Sequence, residues 1–238
     1  MVPDVVDTPR IQFGVEGFDT LITRGIPEES VISLIGQPGT GKTILSLQFV
    51  KHALDQREKA IIITLEQNRE DILTTARLFG WDFTSYLESD QLAIIDLDPI
   101  FMAASLQQIS DDLGDTLGSF GASRVVLDSV SLLEMMYDNN ARRRREVYEF
   151  CSSLKSAGIT TLLTSEASLE NDNASRYGIV EYLSDATILL NRSLQTEHLS
   201  PQLSLEIVKI RNTNHSREKK PYTITDRGIL VHSRDSIF

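Results

Sequence analysis

Apolar runs typical of buried strands alternate with segments of helical periodicity through the first two thirds of the chain. The strand-like runs cover residues 31–36, 60–66, 92–98, 124–130 and 159–166. The helical segments between them cover residues 44–56, 69–80, 105–117 and 144–158. Because alternating strands and helices build βαβ units, the pattern predicts an α/β domain with a mostly parallel central sheet flanked by helices.

The last third of the chain has a different character. Strand-like runs separated by turns, with little helical pattern, cover residues 186–193, 203–211, 221–228 and 229–233. They predict an antiparallel C-terminal edge on the sheet. Residues 1–10 contain two prolines and predict a flexible leader. The remaining residues, 11–238, are predicted to form a single domain, since one α/β domain commonly reaches this length.

Composition and charge narrow the class of protein. Apolar residues form 41% of the sequence and charged residues 24%, the balance of a soluble globular protein. The sequence has no apolar run of membrane-spanning length and no signal-peptide pattern, so we expect a cytoplasmic protein without membrane insertion. The net charge of −11 disfavours a broadly basic nucleic-acid surface. The single cysteine, Cys151, provides neither a disulfide framework nor a cysteine-based metal site.

The segment GQPGTGKT at 36–43 carries the clearest chemical signal. It meets the phosphate-binding pattern G-x-x-x-x-G-K-[ST] between a strand and a helix, which is the setting that the pattern requires. Glycines let backbone N–H groups face an anion, the lysine supplies positive charge, and the threonine hydroxyl can ligate Mg²⁺. We predict an ATP and Mg²⁺ site whose contacts are Gly36, Gly39, Thr40, Gly41, Lys42, Thr43 and Ile44.

Two carboxylates are predicted at the same edge of the sheet. RVVLDSV delivers Asp128 near the carboxyl end of a strand, where ligands of open parallel sheets collect, so Asp128 is predicted to bind the nucleotide through Mg²⁺ with Thr43. AIIITLE ends in Glu66, which could act as the general base for an attacking water. A strand-end acid could equally cap a helix, and the residues alone leave both roles for Glu66 open.

The order of these elements resembles the RecA/RadA/KaiC superfamily, and the KaiC domain in particular. The resemblance runs from about Ile11 to about His232 and implies a RecA-like P-loop NTPase fold. It also implies a homo-oligomeric ring, usually a hexamer, with ATP held between neighbouring subunits. The segments that carry it are residues 14–27, ARLFGWD at 76–82, RVVLDSV at 124–130, LKSAGITTLLTSE at 154–166, RYGIVEYLSD at 176–185 and LEIVKIRNTNHSREKKPYTITDRGI at 205–229.

The resemblance gives roles to further residues. Glu66 matches the catalytic glutamate of the family, and Lys209 and Arg211 match a basic pair that reaches the γ-phosphate in the neighbouring subunit. Without the resemblance, Lys209 and Arg211 are interpreted as solvated charges on a surface strand. We therefore predict four catalytic residues, namely Glu66, Lys42, Lys209 and Arg211.

Three more positions match residues near the nucleotide of the adjacent subunit in KaiC-like rings. They are His215, Thr225 and Asp226. Thr225 and Asp226 could instead form the turn before Gly228, and His215 could form a hydrogen bond within its own loop. The resemblance includes all three among the predicted nucleotide-binding residues.

The chain also departs from the family pattern. KaiC usually has two adjacent glutamates after the second strand, whereas Gln67 follows Glu66 here. This change predicts either slow hydrolysis or a Gln67 that orients the attacking water as a neutral partner while Glu66 is the sole base. Asn212 replaces a glycine, a mild change because Asn tolerates left-handed backbone. Glu181 and Tyr182 stand where the self-phosphorylating half of KaiC has hydroxyl acceptors, so the chain resembles the ATPase half and autokinase activity is not expected.

These observations predict a slowly hydrolysing regulatory ATPase with sites shared between subunits and an unidentified protein partner. One alternative is a nucleotide-dependent binding switch with little hydrolysis, and another is a recombination mediator acting on single-stranded DNA. The four arginines at 142–145 could form a basic collar in a pore, or they could be a solvated helix face or subunit contact. The acidic charge disfavours nucleic acid, and retention of Glu66, Lys209 and Arg211 favours the ATPase.

Overall fold

The computed structural model describes residues 8–97, 117, 119–194 and 201–235. Its main element is a nine-stranded sheet in the order β11-β10-β9-β8-β3-β7-β6-β4-β5. The strands are β1 Arg10–Ile11, β2 Ile26–Pro27, β3 Val31–Gly36, β4 Ala60–Thr64, β5 Leu92–Asp96, β6 Arg124–Asp128, β7 Thr160–Glu166, β8 Ala186–Leu194, β9 Pro201–Ile210, β10 Lys220–Thr225 and β11 Gly228–Val231.

Besides the 3₁₀ helix Asp19–Leu21, the described part of the chain contains six α-helices whose bounds are described. They are α1 Lys42–Asp55, α2 Arg69–Leu78, α3 Phe83–Glu88, α4 Val130–Met135, α5 Asn140–Ser156 and α6 Val180–Leu183. No helix among the described residues is long and apolar enough to cross a membrane. The helix predicted at 105–117 falls almost entirely outside the described residues, as do residues 1–7 of the predicted leader. Arg10, the last residue of that leader, pairs with Pro27 in β1 and β2.

The sheet confirms the predicted fold class. Strands β8, β3, β7, β6, β4 and β5 run parallel, and β9, β10 and β11 extend the sheet antiparallel at its C-terminal edge. The central strands are buried on both faces, which explains why their sequences are continuous apolar runs. One face packs on α1, α2 and α3 and the other on α4 and α5.

The parallel register brings the carboxyl ends of the central strands to one edge of the sheet. Gly36 of β3 pairs with Glu166 of β7 on one side and Leu190 of β8 on the other. Thr64 of β4 pairs with Asp128 of β6. Side chains that follow these strand ends therefore converge on the residues immediately after Gly36.

Candidate active site

The loop between β3 and α1 is built by glycines in left-handed backbone. Gly41 caps α1 with φ of 85° and Gly39 has φ of 79°, a conformation that side-chain-bearing residues rarely adopt. At Gly36 the requirement is space, because a Cβ there would lie 2.7 Å from the Leu190 carbonyl oxygen. The loop therefore leads directly to the free backbone N–H groups at the start of α1, an arrangement suited to binding an anion.

Lys42 occupies the centre of this loop. Its Nζ donates to the carbonyl oxygens of Gly36, at 2.8 Å, and Gln37, at 3.2 Å. Burial lowers the pKa of Lys42, while Asp128 and nearby glutamates act in the opposite direction. The ammonium group is thus held inside the loop. When a phosphate binds there, Lys42 can replace its bonds to neutral carbonyl oxygens with stronger bonds to the charged phosphate.

Thr43 and Asp128 meet beside the loop. The Thr43 hydroxyl donates to Asp128 Oδ2 at 2.8 Å, and the Thr164 hydroxyl of β7 donates to Oδ1 at 2.5 Å. Asp128 is buried, and both of its carboxylate oxygens are oriented by these hydroxyls. Hydroxyl and carboxylate oxygens are the hard ligands that Mg²⁺ prefers, so Thr43 and Asp128 fit the ion that the phosphate loop implies.

Glu66 faces the loop from the segment after β4. Ser129 Oγ donates to Glu66 Oε1 at 2.5 Å, which fixes an otherwise exposed carboxylate. Two hydrogen bonds to the Thr64 side chain hold the backbone of Gln67. The Thr64 hydroxyl donates to the Gln67 carbonyl oxygen, and the Gln67 N–H donates to Thr64 Oγ1. Gln67 Oε1 is buried and accepts no hydrogen bond within the described residues. Glu66 therefore has a fixed orientation, and Gln67 offers a free acceptor beside it.

The β10–β11 hairpin packs against the other side of the loop. The Tyr222 hydroxyl donates to the Thr40 carbonyl oxygen at 2.5 Å, and burial raises the pKa of Tyr222. Ile224 lies next to Gly41, where an added Cβ would come within 3.1 Å of it. The hairpin thus supports the loop through one buried hydrogen bond and one apolar contact.

These groups line a cavity of about 400 Å³. The glycines leave its loop side open, whereas three carboxylates and Lys42 provide charge around it. Such a cavity can hold a polyphosphate against the loop, with oxygen ligands for a divalent cation and a carboxylate facing the phosphates. Its lining comprises Pro38, Gly39, Gly41, Lys42, Thr43, Ile44, Glu66, Gln67, Thr75, Asp128, Glu166 and Ile224.

Lys209 and Arg211 lie at the opposite end of the parallel strands from the phosphate loop, beside the start of β8. Lys209 Nζ donates to the Ser184 carbonyl oxygen at 2.7 Å, and the Arg211 N–H donates to the Asp185 carbonyl oxygen at 2.9 Å. Asp185 in turn bonds Val31, the first residue of β3. The length of β3, about 17 Å, therefore separates the basic pair from the phosphate loop of the same chain.

The three remaining predicted residues, His215, Thr225 and Asp226, do not lie together. They are divided between the amino and carboxyl ends of the parallel strands. His215 pairs with Ile22, and its Nδ1 lies 2.9 Å from the Ser216 carbonyl oxygen, which is the local loop contact considered above. Thr225 and Asp226 follow Ile224 at the cavity. Thr225 Oγ1 donates to the Gly228 carbonyl oxygen at 2.9 Å, as expected for the turn. Within one chain, His215 is not brought to the loop.

Two polar residues of β7 at the site were not predicted from the sequence. Glu166 lines the cavity and forms an ion pair with Arg176, and the buried Thr164 orients Asp128 from behind the cavity wall. Both belong to the apolar run ITTLLTSE, which was interpreted only as a strand. Their signal is the same as that of Asp128, namely a polar side chain near the carboxyl end of a parallel strand.

The fold and the loop together define a P-loop nucleotide-binding domain of the RecA type. The sequence matches the family described as the KaiC ATPase over residues 11–236, and the chain belongs to that family. This match confirms the resemblance that the sequence motifs indicate.

Relatives of known structure or function differ in how much of their length the chain matches. The circadian clock oscillator protein KaiC of Acaryochloris marina is 32% identical over 233 residues, covering 95% of this chain and 44% of the relative. KaiC of Synechococcus elongatus is 33% identical over 224 residues, which cover 91% of this chain and 43% of the relative. The chain thus spans less than half of these relatives.

A solved structure matches the chain over nearly its whole length. The crystal structure of a KaiC-like protein from the hyperthermophilic archaeon Pyrococcus horikoshii OT3 has a TM-score of 0.82 and 31% sequence identity. The match covers 94% of this chain and 99% of that one. The two chains therefore match over nearly their whole lengths.

Proposed function

We propose that this KaiC-family protein binds ATP with Mg²⁺ and hydrolyses it slowly, at sites completed by a neighbouring subunit in a cytoplasmic ring, usually a hexamer. The observation that carries the proposal is the convergence of Lys42, Thr43, Asp128 and Glu66 on one cavity. Ring shape would then follow nucleotide state, which gives the protein a regulatory output toward an unidentified protein partner.

In the proposed complex, the phosphates lie against the backbone N–H groups after Gly36, and Lys42 contacts the β- and γ-phosphates. Thr43 and Asp128 would hold Mg²⁺, which when bound neutralises charge on the phosphates. Thr164 keeps Asp128 oriented for this role through its bond to Oδ1. Gly39, Thr40 and Ile44 complete the predicted contacts of the loop and of the first turn of α1.

Glu66 is proposed as the general base. A water oxygen attacks the γ-phosphorus, the bond from that phosphorus to the bridging oxygen of ADP breaks, and Glu66 accepts the proton of the water. Ser129 orients the carboxylate, and Gln67, which lines the same cavity, is proposed to orient the water as a neutral partner. With a neutral amide where relatives have a second carboxylate, the proposed turnover is slow.

Lys209 and Arg211 are proposed to act in the site of the neighbouring subunit. Their distance of about a strand length from the loop of their own chain supports this assignment, because they could reach a γ-phosphate only across an interface. His215 lies at the same edge and is proposed to join them. Thr225 and Asp226 lie beside the loop of their own chain, and any contact to a neighbouring nucleotide would use the exposed side of the hairpin turn.

A nucleotide-dependent binding switch is the second candidate function. It is favoured by the amide of Gln67, which cannot accept a proton from the attacking water. In a switch, ATP occupancy would control assembly while turnover stayed negligible. Tight ATP binding without phosphate release would therefore favour the switch over the ATPase.

The test measures light-scattering mass with and without ATP and Mg²⁺ beside phosphate release, for the unmodified protein, Glu66→Gln and Arg211→Ala. We expect the unmodified protein to form an assembly of about six subunits with ATP and Mg²⁺. Phosphate release should be lost in both variants. Glu66→Gln should retain ATP binding and assembly, because it removes only the base. A stable monomer with unchanged turnover in Arg211→Ala would contradict the shared site.

A further inference from the structure

Among the charged residues that line the phosphate cavity, Glu166 has no role in the proposed function. The other three are Lys42, Asp128 and Glu66, which in that proposal bind the phosphates, bind Mg²⁺ and accept a proton. Glu166 instead adds a negative charge to a site that must receive a polyanion. Its carboxylate acts on Lys42, since it opposes the lowering of the Lys42 pKa by burial. A carboxylate in this position would repel a polyphosphate unless a cation compensated it.

The sheet places Glu166 between the phosphate loop and Asp128. Strand β7 lies between β3 and β6 in the strand order, and Glu166 is its last residue. Glu166 pairs with Gly36, the last residue of β3, and its N–H donates to Ser131 Oγ at 2.9 Å. The backbone of Glu166 is therefore fixed at the cavity. Because Mg²⁺ in such sites bridges the β- and γ-phosphates, a carboxylate between Asp128 and the loop lies near the phosphate chain.

Arg176 supplies a cation to Glu166. Its Nη1 forms an ion pair with Glu166 Oε2. The two residues flank the base of the loop at 167–175, which is closed by an antiparallel bridge between Ala167 and Ser175. The Arg176 N–H also donates to the Glu166 carbonyl oxygen at 2.8 Å. The two side chains are 39% and 36% exposed, so their ion pair adds little to the stability of the fold. Its main effect is therefore expected on the charge of the cavity.

A second contact attaches the loop at 167–175 to the phosphate loop. Gln37 Nε2 donates to Asp172 Oδ1 at 2.7 Å. The loop at 167–175 is thus held both at its base and near its middle. This attachment keeps Arg176 beside the cavity, although Arg176 is not among the residues that line the described cavity. The guanidinium group can therefore offset the charge of Glu166 without occupying the space of a phosphate.

We propose that the Glu166–Arg176 ion pair determines how strongly the site prefers ATP over ADP. Arg176 neutralises Glu166, and the γ-phosphate can then bind without repulsion from this carboxylate. When the cation is removed, the carboxylate repels the γ-phosphate, a charged group that ADP lacks. Both are specificity-determining residues and not catalytic ones. This inference rests on the proposed function and deepens it, because it assigns the nucleotide preference of the same site.

The experiment measures the dissociation constants of ADP and of an ATP analogue with an imido group in its β–γ bridge, each with Mg²⁺, by titration calorimetry. The analogue resists hydrolysis, so binding is separated from turnover. We expect Arg176→Gln to weaken binding of the analogue about tenfold and binding of ADP no more than about twofold, because the uncompensated carboxylate acts mainly on the γ-phosphate. Glu166→Gln should shift the preference in the opposite direction, since it removes the repelling charge.

Further variants separate the effect of charge from a structural effect. The double variant Glu166→Gln/Arg176→Gln should restore the preference of the unmodified protein for the analogue, because neither charge remains. Arg176→Lys keeps the charge and should lose less affinity than Arg176→Gln. Lys51→Gln breaks another ion pair, with Asp55 on α1 outside the cavity, and should change neither constant. The loss in Arg176→Gln should also shrink at high salt, since both side chains of the pair are partly exposed.

The remaining outcomes separate this inference from the proposed function. If the unmodified protein binds neither nucleotide, the proposed function itself fails. If it binds both, and Arg176→Gln and Glu166→Gln shift the preference in the same direction or not at all, the ion pair has only a structural role and the inference alone is overturned. Unchanged dissociation constants with lost phosphate release in Arg176→Gln would also overturn it, and would place Arg176 in the reaction itself.

Discussion

Glu134 is the most unusual single residue outside the phosphate site. It lies in α4, its side chain is fully buried, and neither carboxylate oxygen has a hydrogen-bond partner among the described residues. Burial raises the pKa of Glu134 to about 8, against the opposing effect of Arg143 and with a smaller contribution from Glu181. A carboxyl group in this setting is neutral at pH 7, since a buried carboxylate without a partner is less stable than the protonated carboxyl group.

This burial predicts a specific dependence of stability on pH. Between about pH 4.5 and pH 8 the unfolded chain releases the Glu134 proton while the folded chain retains it. The free energy of unfolding should therefore fall as pH rises through this window, by at most about 1.4 kcal/mol per pH unit from this group. Glu134→Gln, which is neutral in both states, should lack that contribution and gain stability relative to the unmodified protein toward pH 8.

Urea unfolding at several pH values measures this difference. Glu149→Gln, an exposed carboxylate on α5, serves as the control and should differ from the unmodified protein by a nearly constant amount. A difference between Glu134→Gln and the unmodified protein that stays flat from pH 5 to pH 8 would show that Glu134 ionises normally.

At the residue scale, the sequence predicts those site residues that have a fixed spacing. Lys42 and Thr43 follow from the pattern of the loop, because the glycines and the helix start leave one geometry. Glu166 and Thr164 could not be chosen in the same way, since they stand in an apolar run whose register against β3 and β6 appears only in the folded sheet. Ser129 precedes α4 as its N-cap residue, but its hydroxyl donates to Glu66 and makes no side-chain capping bond to the helix.

At the scale of elements, the β10–β11 hairpin connects the antiparallel edge of the sheet to the phosphate loop. We expect Tyr222→Phe to weaken ATP binding severalfold, because the Thr40 carbonyl oxygen loses its buried donor and the loop is held less firmly. Titration with a fluorescent ATP analogue measures the dissociation constant. Turnover at saturating ATP should change less than affinity, since the hairpin holds the loop and does not contact the proposed base.

A matched tyrosine tests whether this effect comes from the loop. Tyr86 donates its hydroxyl to Asp55 at 2.9 Å on the far end of α1, so Tyr86→Phe removes one hydroxyl away from the cavity. It should leave ATP affinity unchanged. Equal affinities for Tyr222→Phe and the unmodified protein would mean that the loop keeps its shape without the hairpin.

Long periodic elements were predictable and short ones were not. The strands at the centre of the sheet match the apolar runs closely, because burial on both faces demands continuous apolar sequence. Helices α3, α4 and α6 contain only 4 to 6 residues and escaped prediction, since they are too short to show a helical period. The helix start at Asn140 also precedes the predicted boundary, because Asn139 caps it by accepting from Arg142 N–H.

At the scale of the whole molecule, the topology separates the two halves of the proposed reaction. The phosphate loop lies at the carboxyl ends of the parallel strands, and Lys209 and Arg211 lie at their amino ends. Spacing in the sequence could not have suggested that these residues act together, since only the family resemblance links them. The proposed role of Lys209 and Arg211 at a nucleotide therefore requires a neighbouring chain, because one chain alone cannot bring both groups to one nucleotide.

This requirement predicts how activity depends on protein concentration. Phosphate release per chain should fall on dilution over the same range in which light-scattering mass falls, because a dissociated chain keeps its loop and loses the neighbouring cations. ATP bound per chain should fall less steeply, since Lys42, Thr43 and Asp128 remain in each chain. Binding and turnover measured on the same dilution series therefore separate the two halves of the site. Turnover per chain that stays constant while the assembly dissociates would place a complete catalytic site in a single chain and remove the role of Lys209 and Arg211 across an interface.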